Sequence, residues 1–85
     1  MVAMLEKQEY LQNKVLFKKD DDADEIHFIS NGSIKLSTMD GNYFRTASQG
    51  EMIGDYDTLA DQQRLAQAVV NMNSVLFILT KSQFQ

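Results

Sequence analysis

Glu25-Ile26-His27-Phe28-Ile29-Ser30-Asn31-Gly32-Ser33-Ile34-Lys35-Leu36-Ser37-Thr38 contains two alternating runs on either side of a turn dipeptide. Ile34 and Leu36 alternate with Lys35 and Ser37, the period-two pattern of a strand with one buried face. Ile26 and Phe28 alternate with His27 in the same way, which assigns His27 to the polar face, and Ile29 closes the run. Asn31-Gly32 tolerates the positive φ angles of a type I′ turn, whose twist matches flanking strands. Asp40-Gly41 repeats the signal ahead of Asn42–Ala47. The reading is a three-stranded antiparallel meander over residues 25–47.

Upstream, Val15-Leu16-Phe17 predicts a first strand, and the polar stretch Glu6–Asn13 a short helix or a lead-in. Downstream, Met52-Ile53 predicts a strand interrupted by Gly54, and Asp55–Gln63 a helix with an acidic start that suits the helix dipole. Leu65–Val70 and Val75–Leu79 read as two more strands joined by Asn71-Met72-Asn73-Ser74. Roughly five to seven short strands with one late helical turn make a mainly β, antiparallel roll of jelly-roll type, with a minor terminal helix.

The 85 residues leave room for one domain, assigned to 1–85, and 44% hydrophobic with 24% charged residues is an ordinary globular balance. Cysteine is absent, so there is no disulfide framework or thiolate metal site, in keeping with a reducing compartment. A net charge of −4 disfavours direct nucleic-acid contact, which wants a basic face. No apolar run is long enough to insert in a membrane, and Met1–Leu5 is too short for a signal peptide.

The stretch richest in chemistry is Gly50-Glu51-Met52-Ile53-Gly54-Asp55-Tyr56-Asp57-Thr58-Leu59-Ala60-Asp61-Gln62-Gln63-Arg64-Leu65-Ala66. A glycine at the mouth of a short helix lets backbone amides approach an anion. An arginine returning at the next strand adds a two-pronged, charge-assisted contact to phosphate oxygens. An acidic side chain beside that glycine can accept from sugar hydroxyls. With no Gly-Lys-Ser/Thr loop, the site suits one compact phosphate ester rather than a nucleoside triphosphate. The plainer readings stand beside these: Arg64 as a surface residue paired with Asp55 or Asp57, Gly54 as a β-bulge, and Asp55 as a favourable charge at a helix start.

These residues resemble the cyclic nucleotide-binding domain family, whose phosphate-binding cassette runs Gly-Glu, a short helix, then Arg and small residues. Gly54 and Arg64 lie ten positions apart, as in that cassette. Gly50-Glu51-Met52-Ile53-Gly54-Asp55 resembles its entry and Ile29-Ser30-Asn31-Gly32 its Ile-x-x-Gly hairpin. Leu16-Phe17 followed by Asp21 and Asp24 resembles its strand and Gly-Asp-x-x-Asp turn, and Val75–Phe84 the strand and Phe ahead of its C-terminal helix. The resemblance covers roughly residues 10–85 and implies binding of cyclic AMP or cyclic GMP as a regulatory ligand, without a further cofactor. The implied ligand contacts are Gly54, Asp55, Tyr56, Arg64, Leu65 and Ala66. In the family a C-terminal helix closes over the base and carries the signal to an effector. The chain ends where that helix is expected, so it reads as a fragment of a larger cytoplasmic protein, or of the cytoplasmic part of a membrane protein, and a homodimer is compatible with it.

Several positions depart from the family pattern. Asp55 stands where the family has the longer ribose-binding Glu, Gln63 where it has Pro, Leu65 where it has a small residue, and Asp20 where the turn has glycine. Asp57 puts a carboxylate on the turn that should face phosphate, a like-charge contact costing on the order of 1 kcal/mol or more. The second reading is therefore a roll that has lost its ligand and serves as a protein–protein interaction or regulatory module of a transporter, channel or transcription regulator. The acidic run Asp20–Glu25 lacks the glycine and the bidentate Glu of a calcium loop and reads as a solvated turn. With His27 the only histidine, a metal-binding, sugar-recognising cupin roll has no ligand set. Ser48, Ser74 and Ser82 lack a nucleophile-elbow context, and no catalytic arrangement is present, so the reading is a non-enzyme.

Overall fold

The structure, a computed structural model, describes residues 6–37, 43–80 and 82, with Tyr43 and Phe44 as backbone alone. Among the described residues, six strands and one short helix follow in the order β1 (Glu6–Tyr10), β2 (Val15–Phe17), β3 (Glu25–Ser37), β4 (Tyr43–Ser48), β5 (Met52–Ile53), α1 (Asp55–Leu59) and β6 (Gln67–Thr80). All pairings are antiparallel, and the mainly β roll read from the sequence is the architecture found.

Two long strands organise the sheet. β3 and β6 pair from Glu25↔Thr80 to Ser37↔Gln67. Their outer edges are shared: β6 carries β1 beside one half and β2 beside the other, while β3 carries β5 and β4. The two half-sheets meet where the β3–β6 register shifts, between Ile29 and Ile34.

That junction corrects the first expectation. Asn31-Gly32 is no hairpin turn; β3 runs straight through it as one strand. The positive φ that the dipeptide tolerates (99° at Gly32) serves a bulged bend instead. Ser74 explains why the residue must be glycine: a Cβ there would stand 2.7 Å from the Ser74 Cβ and 2.9 Å from its Cα. The Ser74 hydroxyl also accepts from Ser33 N–H (3.1 Å) and donates to Met72 O (2.6 Å), pinning both strands at the bend. Gly32→Ala is expected to destabilise the fold by about 2 kcal/mol; an unchanged urea midpoint would contradict this bend.

Three further expectations change for related reasons. The segments 65–70 and 75–79 are one strand, β6, whose Asn71-Met72-Asn73 are exposed at the bend rather than in a connecting loop. Glu6–Asn13 supplies β1, because β6 offers it a ladder from Glu6↔Ile78 to Tyr10↔Ser74, and its charges suit an unpaired edge. The helix is α1 alone: the chain turns out of it at Ala60, and Asp61 takes φ 57°. The second turn dipeptide, Asp40-Gly41, and Phe84 lie outside the described residues; Ser82 is helical.

The core joins both half-sheets: Phe17, Ile29, Ile34, Leu36, Ala47, Ile53, Ala68, Val70 and Leu76 form one buried cluster, with Tyr10 and Leu16 packed on it. β6 shows the cleanest alternation, with Ala68, Val70, Leu76 and Ile78 buried. At the start of β3 Ile26 is buried as expected, but His27 departs from the expected alternation. His27 is buried (4% exposed) and its ring lies 5.9 Å from that of Phe17. Ile26 is also fully buried but outside the main cluster, so this half of β3 is covered on both faces and simple alternation misreads it.

Candidate functional site

The cassette is held from inside by Arg64. Ala66, Ala68 and Val70 set the inward phase of the chain entering β6, and Arg64 falls two residues earlier in the same phase, 3% exposed. Its guanidinium donates from Nη2 to Glu25 O (2.6 Å) and from Nη1 to Gly54 O (3.1 Å), with Thr58 Oγ1 at 3.5 Å. It also lies over the Phe17 ring, 4.2 Å from the centroid, a cation–π contact. Its backbone exchanges hydrogen bonds with the acidic turn, Arg64 N–H to Asp21 O and Asp20 N–H to Arg64 O, both 2.8 Å. One side chain thus ties β3, α1 and β2 together.

Gly54 is shaped to this arginine. It caps α1 in the left-handed region (φ 76°), and a Cβ there would collide with Arg64 Nη1. Glycine is required twice over, for its φ and for the approach of the guanidinium. Gly54→Ala is expected to cost about 2 kcal/mol and to displace Arg64; a stability within error of the wild type would count against this packing. Thr58, fully buried, donates to Glu25 O (3.1 Å) and seats α1 on β3.

Burial works against the charge on Arg64 and lowers its pKa, while Asp57, Asp24, Glu25 and Asp21 support the charged form. Asp57 is the nearest: its Oδ2 lies 4.0 Å from Nη1, and the residue is 9% exposed. The same burial, with the Arg64 charge beside it, holds the His27 pKa down to about 4. Glu51 is anchored differently. Its carboxylate accepts from Ser48 N–H (2.6 Å) and pairs with Arg45 (3.1 Å), which together lower its pKa.

Beside this assembly opens a cavity of about 230 Å³, walled by Phe17, Leu36, Arg45, Gly54, Tyr56, Asp57, Leu65 and Ala66. The expected residues Gly54, Tyr56, Leu65 and Ala66 are all on its wall. Arg64 lies behind the wall, against Phe17, Gly54 and Asp57, neither on the surface nor facing open solvent. Asp55 is half-buried and off the wall. Arg45, Phe17 and Leu36 are wall residues that the sequence reading did not single out. Arg45 sits on β4 at Leu36↔Arg45, so only strand register brings it to the cassette. A larger hollow of about 470 Å³ lies at the bend, between Tyr10, Leu11, Met72 and Val75; with Glu9 its only charged side chain, its wall offers no cation to a phosphate.

The acidic run forms a tight turn: Asp21 accepts from Lys18 N–H (2.9 Å), and Asp20, in the family's glycine position, takes the left-handed φ of 74°. Among the described residues no three His, Cys, Asp or Glu gather to hold a metal ion, and no helix is long and apolar enough to cross a membrane.

Comparison with known proteins agrees with this geometry. No curated protein sequence matches the chain. The N-terminal domain of a transcriptional regulator from Streptomyces coelicolor A3(2) superposes with a TM-score of 0.84 at 21% identity, over 95% of this chain and 61% of that one. The Thermus thermophilus catabolite activator protein gives 0.85 at 21% identity, over 94% and 39%. The regulatory subunit of a cAMP-independent protein kinase A from Trypanosoma brucei gives 0.87 at 20%, over 94% and 30%. The chain thus spans between about a third and three-fifths of these structures, and at such identities they show the shared fold. The family model described as cyclic nucleotide-binding domain matches residues 7–85. With a cassette of the family's order built on the family's roll, the chain belongs to the cyclic nucleotide-binding domain family, a family of regulatory domains.

Proposed function

We propose that this chain is the sensor domain of a larger regulatory protein, binding cyclic AMP or cyclic GMP in the cavity beside Arg64 and passing the signal to an attached effector. The observation that carries this reading is the wall itself. Gly54 and Ala66 leave room for a compact phosphate, with Arg64 behind them and Arg45 on the rim. Phe17, Leu36 and Leu65 offer apolar surface to a purine. Asp55, beside Gly54, is the candidate ribose acceptor, reached by a small movement of the helix start. The effector domain, a cytoplasmic setting and a homodimer are parts of the same proposal. The transcriptional regulator and the catabolite activator protein among the structural neighbours support it.

One observation favours a second reading, a nucleotide-free regulatory or interaction module. Arg64 has already committed both terminal nitrogens to Glu25, Gly54 and Thr58, and Asp57 stands beside it. The domain from a cAMP-independent kinase has the same fold. Calorimetric titration separates the two. Under the sensor reading one nucleotide binds per chain, and Arg45→Gln weakens binding about 3- to 10-fold, the loss of one charge-assisted contact. Absence of heat at millimolar cyclic AMP and cyclic GMP would favour the nucleotide-free module.

A further inference from the structure

We propose that Asp57 is a built-in occupant of the phosphate position, which an incoming nucleotide must displace; this rests on the cyclic-nucleotide reading of the same cavity. Three observations meet at this residue. The residue is 9% exposed, and it lies on the cavity wall together with Gly54 and Ala66. Its Oδ2 is 4.0 Å from Arg64 Nη1, and among the described residues Arg64 is its only polar side-chain partner. Among the described residues its carboxylate accepts no hydrogen bond that would fix it elsewhere, although α1 carries it into the interior. A carboxylate so placed does for Arg64 what a phosphodiester anion would do: it sets one negative charge against the cassette's buried cation.

The two anions cannot share the position, because like charges in contact inside a poorly solvated wall repel strongly. Entry of the nucleotide therefore requires the Asp57 side chain to rotate out, or α1 to shift, before the phosphate reaches Arg64. Asp57 sets the threshold of the sensor: it holds the empty cassette in a charge-balanced state and makes wild-type affinity weak. Removing its charge without changing its size should unmask the site.

The test is calorimetric titration of cyclic AMP and cyclic GMP into the wild type, Asp57→Asn and Asp57→Ala. Asp22→Asn is the control, removing one exposed charge outside the cavity. Thermal melting confirms that each variant is folded. The expected result is binding at least about 10-fold tighter for both Asp57 variants, with Asp22→Asn within about twofold of wild type. Equal or weaker binding by folded Asp57 variants, where the wild type binds, overturns the role of Asp57 and leaves the sensor reading intact. Absence of binding by all four proteins at millimolar nucleotide overturns the sensor reading, and the gate with it.

Discussion

Arg64→Ala is expected to destabilise the domain by about 4 kcal/mol, the range in which breaking a buried ion pair falls. The substitution removes the donors that Glu25 O and Gly54 O use, and it takes the cation from above Phe17. It also takes from Asp57 its one ion-pair partner among the described residues. Both carbonyls keep a donor from Thr58, so the loss comes from the missing charge-assisted bonds, the space left above Phe17 and the unpaired Asp57. In a small domain, whose total stability lies near the lower end of about 5–15 kcal/mol, such a loss leaves little cooperative folding. Arg64→Lys retains the charge but not the fork that reaches β3 and α1 together, so it should recover only part of the loss. Urea denaturation followed by circular dichroism measures both. A midpoint for Arg64→Ala close to the wild type would mean that Arg64 is a surface side chain and that the cassette is held by other contacts.

The second large effect is acid lability set by His27. Its pKa is about 4 in the folded chain against an ordinary 6.5, chiefly because burial disfavours the charged ring and secondarily because Arg64 is near. Nδ1 has no hydrogen-bond partner among the described residues. The unfolded chain therefore binds a proton on His27 between about pH 6.5 and 4 while the folded one does not, and stability falls with pH across that window. Above 6.5 the ring is neutral in both states and contributes no slope. At about 1.4 kcal/mol per pH unit the loss approaches roughly 3 kcal/mol by pH 4. Glu51, with a lowered pKa, loses stability in the same direction, whereas Glu25, raised by burial and by Asp24, opposes it. Denaturation at several pH values should therefore give a slope that flattens in His27→Gln. A slope unchanged by that substitution would assign the acid lability to the carboxylates.

How much of this was legible in the sequence follows from which forces act locally. Ile34, Lys35 and Leu36 gave the correct phase because one face of that half-strand meets the core and the other meets solvent. Ile26 is buried as its alternation with His27 predicts, but His27 is misread because strand β3 is covered on both faces there, where alternation carries no information. Asn31-Gly32 was correctly identified as a place needing positive φ, but a bulge and a turn share that need. Only the pairing of β3 with β6 chooses between them. Glu6–Tyr10 has no strand signal of its own and takes its conformation from the edge of β6.

The site divides in the same way. The contacts that the family resemblance implies include Gly54, Tyr56, Leu65 and Ala66, and all four line the cavity. The inward direction of Arg64 was implicit in the alternation of Ala66, Ala68 and Val70, a signal present in the sequence although the plainer reading placed this arginine at the surface. Arg45 was not legible, since only the β3–β4 register carries it across to the cassette.

The most direct test of the account is a two-dimensional amide NMR titration of the folded chain with cyclic AMP and with cyclic GMP. The account predicts saturable shifts centred on Gly54, Tyr56, Leu65 and Ala66 and reaching Arg45, while the bend at Gly32 and Ser74 stays unchanged. Spectra unaltered at millimolar concentrations of both nucleotides, or shifts centred on the bend instead, would contradict it.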